Sequence, residues 1–266
     1  MKIAFIGGGV MGEALIKSII SGGTASAADI TVSDISKERQ DYLKKTYGIA
    51  VTDDNNRAIT GAEVIVLAVK PQEISHVISE LKNVSAEQLV LSIAAGVTLK
   101  KLQEGLAHPH LVRAMPNMPA QIGEGITVWT ASPEVTPSQK ELAKSVLSAL
   151  GEEIYVAAEK YIDMATAISG SGPAYIFLII EALIDAGVHI GLTRSVAEKL
   201  VIETVIGSAR SLKLSSRHPA ELRNMVTSPG GTTTEGLLQL ETGGLRSLLL
   251  QTVIAAYEKA GSLNAK

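Results

Sequence analysis

Strand-like and helix-like segments alternate through the first 160 residues, glycines punctuate the turn after the first strand, and from residue 161 the strand pattern stops. These three observations predict an α/β N-terminal domain with a mainly parallel sheet (1–160), followed by an all-α C-terminal domain (161–266). A chain of 266 residues is long enough for two such domains, each with its own core.

The segments "KIAFIG", "DITVSD", "VIVLAV", "LVLSIAA" and "LVRAMP" are short, β-branched and bounded by Gly, Pro or polar residues, as buried strands are. Between them, "SKERQDYLKKTYG" and "PQEISHVISELKNV" have the apolar spacing of amphipathic helices. That alternation builds right-handed βαβ units and a sheet covered on both faces. "ITVWTA" and "EIYVAA", on either side of the helical "SQKELAKSVLSALG", extend the sheet. Beyond Glu159, "PAYIFLIIEALIDAGVHIG", "RSVAEKLVIETVIGSARSLK", "AELRNMV" and "LRSLLLQTVIAAYEKAG" read as helices, several of them apolar on more than one face. This half is either a compact helical cap or a dimerisation domain, and the apolar excess favours the second.

Composition narrows the function. Apolar residues make up 46% of the chain and charged residues 19%, a globular balance. The formal net charge is −3 with Lys and Arg scattered, so no basic face is offered to nucleic acid. The absence of cysteine excludes disulfides, thiolate metal ligands and thiol nucleophiles, and fits a reducing cytoplasm. No signal peptide is evident. The longest apolar stretch, "AYIFLIIEALI", contains Glu181, is followed by Asp185, and reads as a buried helix too short for a bilayer. The expectation is a cytoplasmic protein with no metal and no nucleic-acid or membrane partner.

"IGGGVMG" sets Gly7, Gly9 and Gly12 in the G-x-G-x-x-G spacing, straight after a strand and at a helix start. In that setting Gly7 permits the tight turn, Gly9 lets backbone approach a pyrophosphate, and Gly12 lets helix and strand pack closely. A purely structural turn is the other reading; the agreement of strand, helix and following βαβ unit favours a dinucleotide. Asp34 ends the second strand, where an acidic residue accepts hydrogen bonds from the adenosine ribose and favours NAD(H). Ser33, Ser36, Lys37 and Arg39 beside it suit a 2′-phosphate and NADP(H), so both coenzymes stay open. "LAVKPQ" and "SIAAGV" close the third and fourth strands and border the nicotinamide half. Lys70 is there either a solvated loop lysine or a cofactor contact. In "RAMPNMPA", Pro116 and Pro119 stiffen a loop that offers Met115, Pro116 and Asn117 to the nicotinamide; alternatively, Asn117 is a buried tie between loops.

"FIGGGVMGEAL", "AVKP…SIAAGVTL", "RAMPNMPA", "SGSGPAYIF" and "HPAELRNMVTSPGGTTTEGLLQLE" together closely resemble the pyrroline-5-carboxylate reductase family, in order along essentially the whole chain. "SPGGTT" is the most specific of these stretches. The resemblance implies a Rossmann-type domain and a helical domain interlocked with a partner subunit. It also implies active sites that join the cofactor domain of one chain to helical-domain loops of the other, in a homodimer or a larger assembly of dimers. The implied reaction is hydride transfer from NADPH or NADH to Δ1-pyrroline-5-carboxylate, a cyclic imine bearing a carboxylate, giving L-proline. By position the resemblance implies cofactor contacts at Ile6, Gly7, Gly8, Gly9, Val10 and Met11, at Asn55, at Ala68, Val69, Lys70 and Pro71, and at Ile93, Ala94 and Ala95. Asp34 departs from the serine or other phosphate-tolerant residue that many members carry there.

On the residues alone, "PGGTT" at a helix start is a helix cap. With the resemblance it becomes a substrate site: Gly230 and Gly231 allow close backbone approach, and Thr232 and Thr233 add hydroxyls to N–H groups that face a carboxylate. Ser171 and Gly172 of "SGSGPAY" then border the same pocket. Thr233 is the candidate catalytic residue, hydrogen-bonding the ring nitrogen, with solvent as proton source. None of the five histidines (His76, His108, His110, His189, His218) stands in a catalytic motif; all read as structural or surface residues. The alternatives are a related Rossmann imine or hydroxy-acid reductase, and a dinucleotide sensor without turnover.

Overall fold

The first strand, β1 (Ile3–Ile6), is buried at all four positions, as a central strand covered on both faces must be. The chain's fold is that of a computed structural model, which describes residues 1–264. The other strands are β2 (Ile30–Ser33), β3 (Ala50–Thr52), β4 (Val64–Leu67), β5 (Leu89–Ser92), β6 (Leu111–Met115), β7 (Gly125–Ala131) and β8 (Gly151–Tyr155). They form one sheet in the order β3-β2-β1-β4-β5-β6-β7-β8. Pairing is parallel throughout except between β6 and β7, so β7 and β8 run together against the rest.

Seven helices accompany the strands in sequence: α1 (Val10–Ser21), α2 (Lys37–Tyr47), α3 (Asn55–Ile59), α4 (Ile74–Glu80), α5 (Leu99–Leu106), α6 (Pro137–Ser148) and α7 (Lys160–Ala165). The strand period of two sorts the core into two layers. Ile3 and Phe5 pack with Leu15, Ile16 and Val32 on one face; Ala4 and Ile6 pack with Ile65, Leu67 and Ile74 on the other. Strand order reverses beside β1, with β2 on one side and β4 on the other, so the ends of β1 and β4 open a crevice suited to a ligand.

Among the elements outside the sequence reading are β3 and α3. β3 is a three-residue edge strand, too short to show an alternation. α3 spans five residues and is held by its cap: the Asp54 carboxylate accepts the N–H groups of Asn56 and Arg57 at 2.8 and 3.2 Å.

The strand pattern ends at Tyr155, yet by compactness the chain divides later, into Met1–Ser171 with the chain from Ala256 onward, and Gly172–Ala255. An ion triad ties α7 to the sheet. Arg113 of β6 is buried, and its guanidinium donates to Glu159 and Asp163, each at 2.8 Å. Glu159 Oε1 also accepts the Leu99 N–H at the start of α5. α7 then passes into a π-helical turn, Thr166–Gly170, closed by the Ser171 N–H on the Thr166 carbonyl at 2.8 Å.

The second unit holds α8 (Gly172–His189), α9 (Arg194–Ser215), α10 (Pro219–Met225), α11 (Thr232–Thr242) and the first part of α12 (Leu245–Asn264). Here the expectation of a buried helix fails. α8 has no buried residue, and Phe177 and Leu178 are 52% and 66% exposed. The helical run Lys160–His189 also has the length and apolarity of a membrane span, which the shorter stretch "AYIFLIIEALI" did not reveal. Within α9 and α12, Leu200, Leu248 and Leu250 are likewise exposed. An apolar surface of this extent requires a cover that the single chain does not supply.

The triad yields a stability prediction. Arg113→Leu leaves Glu159 and Asp163 without their shared cation. Breaking a buried pair costs about 3–5 kcal/mol, and the partial exposure of Glu159 places the expected loss near the lower end. Denaturant unfolding of the variant checks this; a midpoint equal to that of the parent contradicts it.

Candidate active site

The turn from β1 into α1 is shaped by what its glycines lack. Gly7 has φ +96°, and a Cβ there would lie 3.0 Å from the Ala68 backbone. A Cβ on Gly12 would lie 2.6 Å from the Gly7 carbonyl oxygen. A Cβ on Gly9 would meet nothing within 4 Å, so this is the open face that a pyrophosphate can reach. Gly9 is also the N-cap of α1 and brings no side chain to its first N–H groups, which remain available to an anion. Val10 is exposed, Met11 is half-buried, and Ile6 lies beneath the turn, its carbonyl accepting the Ala68 N–H. The residues of the turn fit a dinucleotide.

Asp34 reaches the turn through Oδ2, which accepts the Gly8 N–H at 2.8 Å, while Oδ1 accepts the N–H of Ser36, the cap of α2, at 2.9 Å. Ser33 is buried and serves the turn through its carbonyl, which accepts the Gly7 N–H. Arg39 donates from Nε to the Gly8 carbonyl, pairs with Glu13, and lies 5.0 Å over the Tyr42 ring. Glu13 also accepts the hydroxyls of Tyr42 and Tyr47 at 2.9 and 2.7 Å. Burial pushes the Glu13 carboxyl up, but the hydrogen bonds from Arg39, Tyr47 and Tyr42 outweigh it and leave the pKa below its ordinary value. Burial and the Glu13 carboxylate push Tyr47 up. Lys37 makes an exposed pair with Asp41 at 3.1 Å. Glu13, Tyr42, Tyr47 and the fully exposed Ile35 carried no motif and were missed by sequence reasoning.

The ends of β4 and β5 sit side by side: Ala68 is joined to Ile6, and Ile93 donates its N–H to the Leu67 carbonyl. Val69, Lys70 and Pro71 continue from one, Ala94 and Ala95 from the other, and Lys70 is exposed. Asn55, at the start of α3, donates to Glu80 at 2.9 Å. Pro116 and Asn117 are buried, and Asn117 Oδ1 accepts the Ile126 N–H at 2.9 Å; of its two readings, the tie between loops is visible. A Cβ on Gly170 would stand 3.2 Å from Met115 Cε, so the "RAMPN" and "SGSG" motifs come together at two residues 55 apart in sequence, with Ser171 next in the chain.

In the second unit, Gly230 has φ +67° and Gly231 is the N-cap of α11. The Gly231 N–H and the Thr234 hydroxyl both donate to the Ser228 carbonyl, at 3.0 and 2.9 Å, which folds the loop onto the helix start. The Thr234 N–H donates to the Gly231 carbonyl. Among the described hydrogen bonds, none is donated by an N–H or hydroxyl of Thr232 or Thr233. A Cβ on Gly231 would lie 2.5 Å from Ser228 Oγ, so the loop has no room for a side chain there.

The histidines occupy structural or surface positions. His108 is buried, with Nε2 2.7 Å from the Gln88 carbonyl, and burial lowers its pKa. His110 reaches the Ala86 carbonyl at 2.7 Å, His218 caps α10, His76 pairs with Glu80, and His189 ends α8.

Comparison with known proteins is consistent along the chain. Residues 159–263 match the family described as pyrroline-5-carboxylate reductase dimerisation, and residues 2–96 the family described as NADP oxidoreductase coenzyme F420-dependent. The pyrroline-5-carboxylate reductase of Synechocystis sp. is 43% identical over 266 residues, covering 100% of this chain and 99% of the relative. The structure of a pyrroline-5-carboxylate reductase from Coxiella burnetii is 41% identical with a TM-score of 0.91, covering 98% of each chain. Plasmodium falciparum pyrroline carboxylate reductase, solved with NADP bound, is 32% identical with a TM-score of 0.90, covering 99% of this chain and 98% of that one.

The open face at Gly9 generates a test. Gly9→Val adds a branched side chain where nothing stands within 4 Å, so the thermal midpoint should hold. Dinucleotide affinity should fall by roughly tenfold or more, a loss of at least about 1.4 kcal/mol. A folded variant that titrates with the parent's affinity contradicts the assignment of this turn.

Proposed function

The chain belongs to the pyrroline-5-carboxylate reductase family, and from that premise we propose how its parts divide the reduction of Δ1-pyrroline-5-carboxylate to L-proline. The first unit holds NADPH or NADH. The N–H groups at the start of α1 receive the pyrophosphate, and Gly9 gives it room. Asp34 lies at the ribose, and Ile35, with 97% of its surface exposed, offers an apolar face to adenine. Ala68–Pro71, Ile93–Ala95 and Met115–Asn117 border the nicotinamide. The cofactor supplies the hydride; the chain supplies position and electrostatics.

The observation that carries the substrate assignment is the helix mouth at Gly231. The Thr232 and Thr233 N–H groups are unengaged, lie at the positive end of α11, and suit the substrate carboxylate. The Thr233 hydroxyl orients the imine nitrogen, and a proton from solvent completes reduction of the C=N bond. Ser171 and Gly172 border the ring. The exposed apolar faces of α8, α9 and α12 are covered by a second copy, which makes a homodimer or an assembly of dimers the working form. Lack of cysteine and of a basic face supports a cytoplasmic enzyme without a nucleic-acid partner, and cover of α8 by a second copy accounts for its apolar face without a membrane.

Oxidation of NADH or NADPH that requires added pyrroline-5-carboxylate tests the whole reading. Thr233→Val keeps the side-chain volume and removes the hydroxyl, so kcat/KM should fall roughly five- to a hundredfold, the equivalent of about 1–3 kcal/mol, with cofactor affinity unchanged. Gly231→Val should be worse, because the new side chain meets Ser228. Parent rates in both variants would move the substrate elsewhere. For assembly, sedimentation at assay concentration should give a dimer or a multiple of one; an active, stable monomer contradicts that part.

A further inference from the structure

Both cations that flank Asp34 are already paired, and the two pairs differ in strength. Lys37 and Asp41 are 3.1 Å apart with side chains 77% and 63% exposed, a solvated pair that is worth little and is easily exchanged. Arg39 and Glu13 are mostly buried, and each has further partners. The Arg39 guanidinium is held by the Gly8 carbonyl, the Glu13 carboxylate and the face of the Tyr42 ring. Glu13 is itself fixed by the hydroxyls of Tyr42 and Tyr47.

The result is a clamp on one peptide unit. Asp34 accepts the Gly8 N–H, and Arg39 donates to the Gly8 carbonyl, so Gly8 is gripped from both ends beside the open Gly9. Leu43 packs closely beside Gly8: a Cβ there would lie 2.5 Å from Leu43 Cδ1. In this arrangement the guanidinium is engaged in shaping the turn. A 2′-phosphate entering beside Asp34 would face the carboxylates of Asp34 and Glu13, with Arg39 neutralised.

We propose that Glu13 sets the coenzyme choice: by holding Arg39 against the glycine turn, it withholds the guanidinium from a 2′-phosphate, and the chain favours NADH over NADPH. This rests on the first unit being the dinucleotide site. Glu13 acts through Arg39 and is a positioning residue.

Calorimetric titration of the purified protein with NADH and with NADPH, without substrate, tests it. The parent should bind NADH more tightly by roughly tenfold or more, and Glu13→Gln should raise the affinity for NADPH relative to NADH by roughly tenfold. Adding Arg39→Gln to that variant should abolish the gain. Arg39→Gln alone should leave the NADPH-to-NADH affinity ratio where it was, since the guanidinium is not on the phosphate; this variant also carries the test if Glu13→Gln does not fold. Tighter parental binding of NADPH overturns the proposal, as does an unmoved ratio in folded Glu13→Gln, or selective loss of NADPH binding in Arg39→Gln. A parent that binds neither nucleotide refutes the dinucleotide reading instead.

Discussion

A helix start can hold an anion with its peptide N–H groups only where no side chain has already filled its first turn. Most helix starts in the first unit are filled. Ser36, Asp54, Thr98 and Thr136 each turn a side-chain oxygen onto N–H groups of the helix that follows. α1 and α11 are built differently, with Gly9 and Gly231 at the cap and no side-chain oxygen to compete. Glycine in both places leaves donors free; at Gly9 it also leaves open the face an anion approaches, and at Gly231 it lets the loop close onto Ser228. The remaining devices protect this arrangement. Ser228 and Thr234 hold one mouth in shape, while Asp34, Arg39 and Glu13 hold the other.

The sheet explains why the first mouth faces a crevice. The reversal of strand order beside β1 leaves the ends of β1 and β4 without a crossover above them, and Gly7 and Ala68 touch there. The Arg113 triad anchors α7, so the π turn and Ser171 leave the sheet from a fixed point next to Met115. A buried charge needs exact partners, which makes this anchor specific as well as stabilising.

Much of this was legible in the residues. The strands, the glycine spacing and the "SPGGTT" helix start are local patterns, and local patterns survive in a sequence. What escaped was made by folding. Arg39 is 26 residues from Glu13, and Arg113 is 46 and 50 residues from Glu159 and Asp163, so no spacing rule joins them. β3 and α3 escaped because three and five residues are too few for a period. Asn117 was open to two readings because either needs the same residue type in the same loop. α8 reads as a buried helix because apolar composition says that a face is covered, without saying by which chain.

The carboxylate of the substrate offers the most direct measurement. If the Thr232 and Thr233 amides read it, a cyclic imine lacking that group, Δ1-pyrroline, should be reduced with kcat/KM lower by roughly a hundredfold or more, given about 1.5–3 kcal/mol for each hydrogen bond to a charged group. Comparable kcat/KM for the two imines would contradict anion recognition at the α11 mouth.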